Sequence, residues 1–242
     1  MVDILKICTK VLERLKSMDC ELNGGNSAEQ LIFPLNNQTK GKVDRISEQE
    51  LRFLFVEQFK IEYPELFYSV ETPTEKKYKF GDTYEDIVKN KNTHKVSAST
   101  DMCVFKRNEV DFKYERILNI EFKHENGALK NTAKDILKLT REKQDGVFIH
   151  LLKNTARDTV CNDGKTGVFD KYLKAFLAFN DEWIDENKSI QLVLISLNEN
   201  TIIYRKINKN DNFNSIFSFN SANGNITEVN KNEWKIENVE IK

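Results

Sequence analysis

The stretch that decides the fold is Arg116-Ile117-Leu118-Asn119-Ile120-Glu121-Phe122-Lys123-His124. Side chains alternate across a strand, so Ile117, Asn119, Glu121 and Lys123 share one face and Leu118, Ile120 and Phe122 share the other. The second face is wholly apolar, which predicts a strand packed on a core. On the first face a carboxylate and an ammonium two residues apart point into the same space at the strand's end. Such a pair can help to hold a divalent cation and polarise a nearby phosphate. A lone Glu-x-Lys also decorates many half-exposed strands, so its meaning depends on its flanks.

Immediately before it, Ser99-Thr100-Asp101-Met102-Cys103-Val104-Phe105 reads as a strand, followed by a polar turn over 106–111. After it, a helix is expected over 131–143, with Ala133, Ile136, Leu137 and Thr140 on one side. Lys134, Lys138 and Arg141 line another side, which reads first as a solvated face. Asp145-Gly146 then opens a buried strand, Val147-Phe148-Ile149-His150-Leu151-Leu152. Strand, helix, strand is the pattern of a crossover unit, which builds parallel pairing.

Further out, Ser47-Glu48-Gln49-Glu50 is a capping box that starts a helix. The residues Leu51, Phe53, Leu54, Phe55, Val56 and Phe59 make that helix apolar nearly all round, which predicts deep burial. Glu48 is expected to be exposed. Phe67-Tyr68-Ser69-Val70-Glu71-Thr72-Pro73 reads as a strand, and 75–95 as a loop, a hairpin or a short helix around 84–88. At the N-terminus, Ile4, Leu5, Cys8, Val11, Leu12 and Leu15 form a helical stripe over 2–19, closed by Asn23-Gly24-Gly25-Asn26. Towards the C-terminus a helix is expected over 167–179, then two strands, 190–197 and 201–207, joined as a hairpin. Asn223-Gly224, between the apolar runs 216–219 and 226–229, predicts a last hairpin. With no internal repeat and no long linker, one domain over 1–242 is expected.

The composition narrows the classes. No apolar run is long enough for a membrane span, and Met1-Val2-Asp3-Ile4-Leu5-Lys6 lacks the pattern of a signal peptide. Cys8, Cys20, Cys103 and Cys161 are scattered with no CxxC pair, which predicts reduced thiols in a cytoplasmic protein. A net charge of −1 speaks against an indiscriminate nucleic-acid binder but leaves room for a local basic groove. His94, His124 and His150 have no zinc-site spacing; His124 would line a cleft beside Lys123, and His150 reads as structural.

A helix with Glu50, a strand, a strand with Asp101, a strand with Glu121 and Lys123, a helix and a strand follow one another. This order resembles the PD-(D/E)XK nuclease superfamily, the restriction-endonuclease-like fold, over about residues 45–153. The resemblance implies an α/β core of helix, three strands, helix and strand. Its mixed central sheet would be flanked by helices, with 2–19 and 167–242 as additions. Thr100 stands where the family's signature proline would be; that proline is not a ligand. The implied activity is metal-dependent hydrolysis of DNA phosphodiester bonds by a cytoplasmic endonuclease, in restriction or another form of foreign-DNA defence. Asp101 and Glu121 would hold Mg²⁺, or Mn²⁺ in its place, with the Phe122 backbone carbonyl as a further ligand. Lys123 would orient or deprotonate the water, or stabilise the phosphate. Glu50 would be the acid of the first helix, with Glu57 as its rival, although the capping box also explains Glu50 fully. Lys134 and Lys138 would be further site candidates, and with Arg141 they could reach a nucleic-acid backbone. Lys76, Lys77 and Lys79, interleaved with Tyr78 and Phe80, are a second such stretch or a plain charged loop. A homodimer would supply the two sites that cutting both strands needs. A methyltransferase or a helicase is a candidate partner under the same resemblance. The alternatives are a non-catalytic nucleic-acid-binding or regulatory module with this fold, and an unrelated α/β protein; RNA is the rival substrate.

Overall fold

The N-terminal stripe folds as α1 (Ile4–Ser17), capped by the Asp3 carboxylate, which accepts the Lys6 N–H at 3.1 Å. This computed structural model describes residues 2–25, 29–36, 43–218 and 226–241. Between the first two helices β1 (Leu35–Asn36) and β2 (Val43–Asp44) form a small antiparallel ladder. Ser47 caps α2 (Glu48–Glu62): its hydroxyl accepts the Gln49 N–H, and its own N–H donates to Glu50 at 2.7 Å. The expectation of burial all round fails for α2. Leu51, Leu54, Phe55 and Phe59 are buried against a sheet, but that sheet covers one side only, and Phe53 is 58% exposed.

The main sheet begins with β3 (Phe67–Tyr78), longer than the sequence suggests, then α3 (Tyr84–Lys89), β4 (Val96–Arg107) and β5 (Tyr114–His124). These three strands pair antiparallel. Next come α4 (Leu129–Arg141) and β6 (Asp145–Leu152), which lies parallel to β5 in register Phe122 with Ile149, as the crossover pattern requires. The short α5 (Arg157–Val160) and then α6 (Val168–Ala178) lead to β7 (Ser189–Ser196), parallel to β6. β8 (Thr201–Asn208) returns antiparallel. After α7 (Phe213–Ile216), β9 (Lys235–Asn238) closes the sheet beside β8. The fold is therefore mixed α/β: a seven-stranded mixed sheet, in spatial order β3-β4-β5-β6-β7-β8-β9, flanked by helices.

Alternation along the strands feeds two apolar layers. Ile120, Phe122, Val147, Ile149 and Val193 pack with α1 and α2 on one face. Phe148, Leu192, Leu194 and Ile203 pack with α3, α4 and α6 on the other. By the same alternation Glu121 points to the α4 side of the sheet.

The expected hairpin around Asn223-Gly224 is not borne out at its flanks; the two residues themselves lie outside the described ones. Ile216 ends α7 and Ile226 begins a 3₁₀ turn. Both are buried against the α6 layer, so packing rather than cross-strand pairing uses their apolar surface. No helix among the described residues is long and apolar enough to cross a membrane.

Candidate active site

The β4–β5 ladder stops at the pair Met102–Ile120. One residue further along β4, the Asp101 carboxylate accepts the Phe122 N–H at 2.8 Å. A side chain thus takes the donor that a continuing ladder would use, and it sets Asp101 next to Glu121 where the strands part. Glu121 is 1% exposed. The helix across from it, α4, offers Asp135 and Lys138, three residues apart and therefore on one face. Lys138 Nζ stands 2.8 Å from Glu121 Oε1 and 3.0 Å from Asp135 Oδ1, and it donates to the Ser99 carbonyl at 2.9 Å. Lys123 Nζ is 2.7 Å from Asp135 Oδ2. The result is a row of alternating charge: Glu121, Lys138, Asp135, Lys123.

α2 contributes from the other side. Arg52 donates to the Asp101 backbone carbonyl at 3.2 Å, lies 3.7 Å from its carboxylate, and pairs with Glu71 at 2.7 Å. Glu48 is half-buried and feels Lys123, Asp101, Asp135 and Arg52. Beside Asp101 runs an open groove of about 540 Å³, lined by Arg52, Phe53, Tyr68 and Val70 among others.

The electrostatics follow from burial. Loss of water pushes Asp101 and Glu48 above the usual carboxylate range. It pushes Glu121 well above that range; Lys138 opposes this, while Asp135 and Asp101 add to it. Burial alone would raise Asp135 too, but Lys138 and Lys123 hold it below its ordinary value. Burial works against the charge on Lys123 and Lys138, yet Asp135 raises both.

Asp101, Glu121 and Lys123 are thus brought together. Phe122 joins them through its N–H, bonded to Asp101. Glu50 is not: its carboxylate is turned onto the Ser47 cap, and Glu48, expected to be exposed, is the α2 acid in electrostatic reach of the cluster. Glu57 pairs with Arg14 of α1 at 2.6 Å. The basic side of α4 is no solvated face. Lys138 and Arg141 are 7% and 8% exposed. Lys138 belongs to the site, whereas Arg141 is bonded to Glu182 at 2.7 Å and lies over the Tyr78 ring. Lys134 sits over the Phe80 ring. Of the charged stretch before α3, Tyr78 is buried on Glu142 and the Lys76 N–H is bonded to the same carboxylate. His150 is buried between the Tyr172 hydroxyl and the Glu125 carbonyl, and His124 is half-buried beside Glu125. Sequence reasoning missed Asp135 and Arg52. Asp135 had a signal, its spacing to Lys138 on the helix after the Glu121 strand; Arg52 had none.

Among the described residues no group of three or more His, Cys, Asp or Glu side chains is set to hold a metal ion. Mg²⁺ commonly uses only one or two protein carboxylates and completes its shell with water and phosphate. Asp101 and Glu121 offer that number. Glu121 Oε1 is buried without a well-aligned hydrogen bond, with the Lys138 ammonium 2.8 Å away, so it has capacity for a further cation. On that observation the residues fit the ion. No family model, no curated protein and no solved structure matches the chain.

Proposed function

We propose that the protein is a metal-dependent endonuclease hydrolysing DNA phosphodiester bonds, built on a restriction-endonuclease-like core of α2, β3, β4, β5, α4 and β6. The observation that carries this reading is the Asp101–Phe122 bond. It sets the half-buried Asp101 carboxylate beside the strand that carries the buried Glu121, at a strand opening, with Lys123 two residues on. The antiparallel run of three strands, then a helix, then a parallel strand is also the order that the family resemblance calls for.

When bound, Mg²⁺ would act as Lewis acid and lower the pKa of a bound water. Asp101 and Glu121 are the side chains that would hold it, with the Phe122 carbonyl as the further ligand. Lys123, paired with Asp135 at 2.7 Å, is kept as an ammonium, the form that stabilises a phosphate rather than one that removes a proton from water. Arg52 borders the groove beside Asp101, where a phosphate on one side of the scissile bond would lie. Defence against foreign DNA is the role this activity suits, and a homodimer would give it two sites for two strands.

The test is cleavage of plasmid and single-stranded DNA, with RNA alongside, by the purified protein in Mg²⁺, Mn²⁺ or EDTA. Asp101→Ala and Lys123→Ala run beside it. Cutting is expected to require metal and to vanish in both variants; discrete fragments would add sequence specificity. Absence of cutting on every substrate, together with no Mn²⁺ binding by calorimetry, would overturn the reading in favour of a non-catalytic module.

A further inference from the structure

Glu121, the most buried carboxylate of the proposed metal pair, is already held by a cation. The Lys138 ammonium has three donors, and three oxygens surround it: Glu121 Oε1 at 2.8 Å, Asp135 Oδ1 at 3.0 Å and the Ser99 carbonyl at 2.9 Å. The three contacts are not alike. The bond to Ser99 is well aligned; the contact to Glu121 Oε1 is a close ion pair of poorer hydrogen-bond alignment. Four carboxylates meet here, Asp101, Glu121, Asp135 and Glu48, against three cations, Lys123, Lys138 and Arg52.

We propose that Lys138 is a tethered counter-cation that competes with the divalent metal for Glu121, and that Asp135 is the carboxylate that keeps it when Glu121 is given up. This rests on the nuclease reading of the same site. The free protein then binds metal weakly. Firm binding waits for a phosphate, whose negative charge adds to that of the carboxylates around the ion.

The test is calorimetric titration of the intact protein with Mn²⁺ at pH 8, without nucleic acid. Lys138→Met keeps the apolar stem and removes the charge; it is expected to tighten Mn²⁺ binding on the order of tenfold or more. Lys138→Arg, which keeps the charge, should stay close to the unaltered protein. Asp135→Asn should weaken binding, because Lys138 loses its second carboxylate. Glu121→Gln should abolish binding and so establishes the metal site independently. If Glu121→Gln abolishes binding but Lys138→Met binds no tighter, the counter-cation idea falls and the metal site stands. If neither the unaltered protein nor Lys138→Met takes up Mn²⁺, both fall. Circular dichroism checks each fold, and Lys138→Gln, with the same expectation, replaces a Lys138→Met that does not fold.

Discussion

Glu48 and Glu50 open the same turn of α2 and do different work. Glu50 closes the capping box, so Glu50→Ala should cost about 1 kcal/mol in urea unfolding and leave the proposed metal-dependent cleavage intact. Glu48 faces the cluster, so Glu48→Gln should leave stability within about 0.5 kcal/mol and shift Mn²⁺ affinity instead. The reverse pattern would return Glu50 to the site. His150 gives a pH prediction. A carbonyl only accepts, so Nε2–H donates to the Glu125 oxygen and Nδ1 accepts the Tyr172 hydroxyl, which leaves the ring neutral. Burial drives its pKa from 6.5 down to about 3. The unfolded chain binds the proton first, so this stability is complete above about pH 6.5 and is lost as the pH falls towards 3. The slope is about 1.4 kcal/mol per pH unit. His150→Asn should flatten the acid limb of a urea-midpoint series against pH; an unchanged limb would show that the ring is not held neutral. At this scale the sequence was readable where chemistry is local. Glu121 and Lys123 share a strand face two residues apart, and Asp101 opens the strand before them. Arg52 meets Asp101 across 49 positions, and no local pattern announces that.

Glu142 shows what the elements owe to distant partners. It stands at the C-terminal end of α4, fully buried, and accepts the N–H groups of Glu75 and Lys76 at 2.8 and 3.0 Å and the Tyr78 hydroxyl at 2.9 Å. Glu75 and Lys76 lie within the register shift in β3 between Pro73 and Lys77, and Tyr78 just follows it. The carboxylate thus takes amide donors where the pairing with β4 is interrupted. Glu142→Ala would strand those donors and Arg116 beside them, and a loss of about 3 kcal/mol or more is expected in thermal or urea unfolding. A loss below about 1 kcal/mol would deny Glu142 that role. The expectation that β3 ends at Pro73 has its explanation here. Pro73 still pairs with Ser99; the register shifts just after it, and there a carboxylate 67 positions away carries the strand through. The solvated side assigned to α4 failed for a related reason: Lys138 and Arg141 are charged, yet their partners, Glu121 and Glu182, sit on other elements.

For the molecule as a whole, the alternating strands and the crossover between β5 and β6 were legible, because period and connection length fix them. β9 was not: four residues in an asparagine-rich tail carry little signal. It is nonetheless anchored. Trp234, just before it, stacks on Phe169 and donates to the Ile216 carbonyl at 2.8 Å. Trp234→Ala should therefore cost about 3 kcal/mol or more in thermal unfolding, a penalty that an unanchored tail would not show. The sheet order has its own consequence. Each strand lies beside its neighbours in the chain, so β6 is both the middle of the sheet and the point furthest from either edge. Native-state amide exchange should be slowest in β6 and quicken outwards to β3 and β9. Asp101 sits on β4, second from one edge, as β8 is from the other, and so on the outward limb of that gradient. The strand that carries Asp101 should then exchange its amides through local opening, without the global unfolding that β6 requires.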